Sequence, residues 1–114
     1  MSVHTVLRGA KFRPMDAQVC VLGLTDGQPL RLVPEPTNRF DPNAIQVHAT
    51  NAEGVEHFIG YIAKEDCEDV LPLLAGPHKA YVAEACGNAP KITVEYDFGE
   101  DSEVWDDDPD SDSE

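Results

Sequence analysis

Leu30-Arg31-Leu32-Val33-Pro34-Glu35-Pro36-Thr37-Asn38-Arg39-Phe40-Asp41-Pro42-Asn43-Ala44-Ile45-Gln46-Val47 is the stretch on which the fold turns. Leu30-Arg31-Leu32-Val33 reads as a strand with Leu30 and Leu32 on one face. Pro34 and Pro36 end it, because neither can donate to a strand ladder. The nine residues from Glu35 to Asn43 hold two prolines, two asparagines, an aspartate and one large aromatic, a turn-forming composition around an isolated ring. Strand pattern resumes at Ala44 and runs to Ala49, with Ile45 and Val47 on one face and Gln46 and His48 on the other. Asn51-Ala52-Glu53-Gly54 turns the chain, and His57 to Ile62 returns as the antiparallel partner.

Working outward, the segment from Val3 to Phe12 reads as a strand, with Gly9 marking a bulge or a close backbone approach. Ala17 to Leu24 is apolar on too many sides for a surface helix. It reads as a short buried helix or a strand, and Asp16 as a helix cap favours the former. Thr25-Asp26-Gly27-Gln28 is a turn. After Ile62, Cys67, Val70, Leu71 and Leu74 fall at helical spacing with acids in the first half, where the helix dipole favours them. That predicts the main helix over residues 63–75, with Pro72 interrupting its last turn. Lys79 to Cys86 and Lys91 to Phe98 complete the strands. Short strands and turns with one main helix predict a mainly β fold, a small barrel or strongly curved sheet.

The chain has 114 residues, enough for one core. Its net charge of −14 is unevenly spread. From Asp97 onward there are ten acids and no base, which leaves residues 1–96 with twelve acids against eight bases, a net of −4. Residues 1–40 are net +2. A general phosphate binder carries a domain-wide basic excess, so any nucleic-acid site here is small and local. The division expected is a folded domain over 1–98 and a disordered acidic tail over 99–114. No apolar run is long enough to span a membrane, and the N-terminus has no leader pattern. Cys20, Cys67 and Cys86 are an odd number without CxxC spacing, which fits buried, reduced thiols and a cytoplasmic location. His4, His48, His57 and His78 are scattered without ligand spacing, and no nucleophile elbow or phosphate loop is present. Neither a metal, a cofactor nor an enzymatic activity is expected.

The run "strand, Glu-Pro-x-Asn-x-aromatic-Asp-x-Asn-Ala-Ile, hairpin, Gly-Tyr-Ile, helix" resembles the HIRAN domain, and Arg8-Gly9-Ala10-Lys11-Phe12 resembles that family's opening strand. The resemblance covers about residues 5–96 and implies a modified OB-like β-barrel. It further implies a non-catalytic module that captures the 3′-hydroxyl end of single-stranded DNA, in repair or replication-fork processing. Carried over position by position, the implied binding residues are Lys11, Phe12, Asn38, Phe40, Asp41, Tyr61 and Lys64. Positions 12 and 40 carry Phe where characterised DNA binders of the family carry Tyr, which keeps a stacking face and loses a hydroxyl.

The chemistry of these residues is coherent by itself. Two aromatics from separate segments can clamp a terminal base. A carboxylate such as Asp41 accepts a hydrogen bond from a 3′-hydroxyl and repels a phosphate, while Lys11 and Lys64 can meet the first phosphates. Each residue also has a plain structural role open to it. Phe12 suits a core. Phe40 is open to the same role, although its place between Arg39 and Asp41 in a proline-rich connection favours exposure. Asn38 and Asp41 suit turn formation, Tyr61 suits a half-buried strand position, and Lys64 suits a solvated helix start. A rival function is an acidic interaction or inhibitor module, in which the tail around Trp105 mimics DNA phosphates or docks on a basic protein partner.

Overall fold

Period-two patterning in six short segments closes into a ring. The computed structural model describes residues 2–97, so the tail from 99 on and its boundary at 98 lie outside the described residues. The strands are β1 (Ser2–Arg8), β2 (Pro29–Pro34), β3 (Ile45–Thr50), β4 (Glu56–Ile62), β5 (His78–Glu84) and β6 (Lys91–Tyr96). They form a closed antiparallel barrel in the order β1-β4-β3-β2-β5-β6, leaving no open sheet edge. The inward residues Leu7, Ile45, Val47, Ile59, Ile62, Val82, Ile92 and Val94 are all buried and fill its interior.

Two eight-residue helices accompany the barrel, α1 (Met15–Leu22) and α2 (Cys67–Leu74). The segment expected at 17–24 is helical but lies over Met15–Leu22, and helical content is split evenly between the two and not concentrated in one main helix. Nor is α1 buried all round. Ala17, Cys20 and Val21 face the barrel, whereas Met15, Val19 and Leu22 are exposed at helical spacing. Its N-cap is Pro14, and Asp16 sits one residue inside, accepting the Ala17 amide at 3.0 Å. The expected 63–75 helix begins as a 3₁₀ turn over Lys64–Asp66, and α2 follows with Cys67, Val70 and Leu73 packed on the core. Pro72 lies on its exposed face, where the lost backbone donor is tolerated.

Three further differences matter for the site. β1 ends at Arg8; Gly9, at φ +79°, turns the chain into a 3₁₀ turn over Ala10–Phe12, so Phe12 is not a strand residue. Cys86 is exposed in the β5–β6 turn, unlike the buried Cys20 and Cys67. Finally, β1 crosses β4 so closely that only glycine fits at position 60. A Cβ there would lie 2.6 Å from the Arg8 carbonyl oxygen and 2.9 Å from Leu7 Cδ1. Just before this crossing β4 carries a bulge at Ile59, because Val47 pairs with Gly60 and His48 with Phe58. Among the described residues no helix is long and apolar enough to cross a membrane.

Candidate functional site

The β2–β3 connection is built by its own polar side chains. Glu35 donates its amide to the Ala44 carbonyl at 2.9 Å, and the Asn38 amide returns to the Glu35 carbonyl at 3.0 Å. Asn38 Oδ1 then accepts the amides of Phe40 and Asp41 at 2.9 and 3.0 Å, and Asp41 Oδ1 accepts the Asn43 amide at 3.0 Å. These are the local side-chain-to-backbone bonds that asparagine and aspartate form in turns. These bonds fix the backbone on either side of the Phe40 ring. Phe40 is 93% exposed, the most exposed large apolar side chain among the described residues.

Across from the connection stands the end of β4. Tyr61 pairs with Arg8 of β1 and with Gln46 of β3. The Ala63 amide donates to the Val6 carbonyl and Thr5 Oγ1 donates to Asp66 Oδ2 at 2.7 Å, which pins the turn carrying Lys64 to β1. Between these elements lies a cleft of about 420 Å³ lined by Arg8, Asn38, Phe40, Asp41, Ala44, Tyr61, Ile62, Lys64 and Glu65. Five of the seven residues expected from sequence therefore converge on one concavity: Asn38, Phe40, Asp41, Tyr61 and Lys64.

Lys11 and Phe12 do not line it. They sit on the 3₁₀ turn beside α1, where Gln18 Nε2 donates to the carbonyls of Lys11 and Arg13, and Arg13 Nε donates to the Phe58 carbonyl. Phe12 is 79% exposed, and the Lys11 ammonium lies 5.2 Å from its ring centroid. The residue that β1 contributes to the cleft is Arg8, which the sequence reading missed. Its guanidinium meets Glu65 Oε2 at 3.3 Å, with both side chains largely in solvent, so the pair is weak and open to exchange with another anion. The signal for Arg8 is the closure of β1 on β4, a long-range pairing invisible in a local pattern.

The charges in the cleft balance, with Arg8 and Lys64 against Asp41 and Glu65. Lys64 makes no ion pair among the described residues, and Asp41 keeps its second carboxylate oxygen unpartnered there. Behind the cleft, Glu35 accepts hydrogen bonds from Gln46, Asn38 and Tyr61, which together hold its carboxyl below the usual value against the opposing effect of burial. Burial, reinforced by the Glu35 charge, raises the Tyr61 phenol. The wall thus offers the rings of Phe40 and Tyr61, acceptor oxygens and two cations. A larger cleft of about 740 Å³ between α1 and the β3–β4 turn gathers none of the expected residues. No group of metal-ligating side chains occurs among the described residues.

A closed antiparallel barrel of six short strands, with a cleft walled by a polar-stitched connection, is an OB-like module. More narrowly, the chain belongs to the HIRAN domain family, a family of DNA-binding domains, whose sequence pattern matches residues 4–98. A crystal structure of a protein from Lactobacillus plantarum has the same fold, with a TM-score of 0.60 and 19% identity over 82% of this chain and 93% of that one. The HIRAN domain of human HLTF matches with a TM-score of 0.53 and 18% identity over 82% of this chain and 72% of that one. No curated protein matches the sequence.

Proposed function

We propose that this protein is a non-catalytic module that captures single-stranded DNA at a 3′-hydroxyl end, with a role in repair or replication-fork processing. The observation that carries the reading is the convergence of Phe40, Asp41, Tyr61 and Lys64, with Arg8, on one 420 Å³ cleft. Phe40 provides a solvent-facing ring on which a terminal base stacks, a contact indifferent to sequence. Asp41 accepts the terminal hydroxyl and repels a phosphate in the same place, so an internal nucleotide or a blocked end is disfavoured. Lys64 and Arg8 take the first phosphates on the strand side. Because the cleft is electrically balanced, binding depends on stacking and end recognition more than on counterion release, and the salt slope has a magnitude of about 1–2.

The test is a fluorescence titration of the full chain with short single strands ending in a 3′-hydroxyl or a 3′-phosphate. The wild type prefers the hydroxyl end. Asp41→Ala loses most of that preference while its affinity for the phosphate-blocked strand holds or rises. Equal binding of both ends by the wild type would reduce Asp41 to a turn former and remove end capture from this protein.

A further inference from the structure

We propose that Glu35 is the positioning residue of this cleft, the carboxylate that holds the β2–β3 connection against β4 in the arrangement that receives a strand end. The inference rests on the DNA-end reading for the identity of the ligand, but its geometry stands apart from it.

Glu35 lies between Pro34 and Pro36, and both its backbone groups are used at the mouth of the connection, the amide by Ala44 and the carbonyl by Asn38. Its side chain then gathers donors from three elements. From the connection, Asn38 Nδ2 donates to Oε1 at 3.0 Å. From β4, Tyr61 Oη donates to the same oxygen at 3.2 Å. From β3, Gln46 Nε2 donates to Oε2. Among the described residues no cation pairs with Glu35, so neutral hydrogen bonds do the holding.

Each of those donors is itself committed. Asn38 uses its amide oxygen for the Phe40 and Asp41 amides, so the position of the stacking ring traces back through one side chain to Glu35. Gln46 uses its oxygen for His48 Nε2 at 2.8 Å, which fixes which end of its amide faces Glu35. Tyr61 has one hydroxyl proton and gives it to Glu35. Its oxygen therefore presents only lone pairs to the cleft, as does the free oxygen of Asp41. Two acceptors facing a ligand select a hydrogen-bond donor such as a hydroxyl over an acceptor-only phosphate.

The experiment uses two variants of the full chain. Glu35→Gln matches the size but places an amide NH₂ against donors, and Gln46 can turn to meet it only if His48 changes tautomer. Glu35→Asp keeps the charge but is one methylene short of its three donors. In both, the amides of Phe40 and Asp41 should exchange with solvent about tenfold or more faster, with the barrel amides unchanged. The Tyr61 phenol should titrate lower in Glu35→Gln, since the negative charge that helps raise it is gone. The preference for a 3′-hydroxyl over a 3′-phosphate strand should shrink in parallel. Wild-type exchange at Phe40 and Asp41 in both variants would overturn the proposal, as would full rescue by Glu35→Asp, which would make charge alone sufficient. If the wild type shows no end preference, the DNA-end reading fails, and the exchange rates still decide the role of Glu35.

Discussion

Residues 10–22 and residues 35–43 each push a phenylalanine into solvent beside a cation, and they are held in different ways. In the first, backbone bonds of a 3₁₀ turn and α1 fix the chain, with Gln18 and Arg13 tying its carbonyls and charge to the neighbouring elements. Phe12 ends beside Lys11 on an outer surface that continues along Met15, Val19 and Leu22. In the second, there is no regular structure, and side chains replace it: Glu35, Asn38 and Asp41 occupy the backbone and reach to β3 and β4. Phe40 ends over a concavity with acceptors and cations around it. An exposed ring by itself does not define a site. A ring held by a dedicated polar scaffold opposite a second wall makes a candidate one.

The strongest way to break the comparison is to disturb the strand that serves both regions. Phe58 of β4 offers its carbonyl to Arg13 and its ring to the Arg13 guanidinium at 3.9 Å, while Tyr61 of β4 bonds Glu35. Gly60 lies between them under the Arg8 carbonyl. Gly60→Val forces β1 and β4 apart and should cost about 3 kcal/mol, lowering the thermal midpoint by roughly 10–20 °C. A midpoint within a few degrees of wild type would show that the crossing has slack.

Next is the scaffold itself. Asn38→Ala removes the acceptor of two amides and the donor to Glu35, and should cost about 1–2 kcal/mol. Gln18→Ala removes only a side-chain donor to two carbonyls that solvent can reach, and should cost less than about 1 kcal/mol. Chemical denaturation of both variants measures the difference. Only Asn38→Ala should weaken strand-end binding, because only it loosens a wall of the cleft. Equal losses of binding would place both regions in one site.

The two rings give a sharper contrast still. Neither substitution should move stability by more than about 0.5 kcal/mol, since both side chains are already in solvent. Phe40→Ala should weaken binding of a short single strand by about 1–3 kcal/mol. Phe12→Ala should leave it unchanged, contrary to the pairing of the two rings expected from sequence. A matching loss at Phe12 would mean that the strand path extends beyond the cleft to α1.

Why the sequence paired these rings is instructive. Period-two alternation revealed β2, β3 and β4, and turn chemistry revealed the connection, because both signals are local. The five converging residues came from the family resemblance, which maps Asn38, Phe40 and Asp41 onto that connection, Tyr61 onto β4 and Lys64 onto the turn that follows. Continuing β1 through Phe12 failed because apolar spacing carries on past Gly9 whereas the backbone does not. Arg8 and Glu35 were missed for a common reason. Arg8 faces Tyr61 only when the barrel closes, and Glu35 meets Gln46 and Tyr61 across eleven and twenty-six residues. A glutamate between two prolines reads locally as a loop charge.

The smallest expected effect, and the most discriminating, is in pH. Three donors hold the Glu35 carboxyl below its ordinary value of 4.5 in the folded chain, so the folded state resists a proton that the unfolded chain accepts. The contribution of this carboxylate is complete above about pH 5 and is lost as pH falls through the depressed folded value. Amide exchange at Phe40 and Asp41, corrected for intrinsic rates, should therefore be flat above pH 5 and accelerate below 4.5. The amides of Phe12 and Arg13 rest on the carbonyls of Gly9 and Ala10 and should keep their protection over the same range. In Glu35→Gln the step should vanish, leaving fast exchange at Phe40 and Asp41 at every pH. If both regions lose protection together in the wild type, acid is unfolding the whole barrel through its many other carboxylates. The connection would then have no titrating hinge of its own.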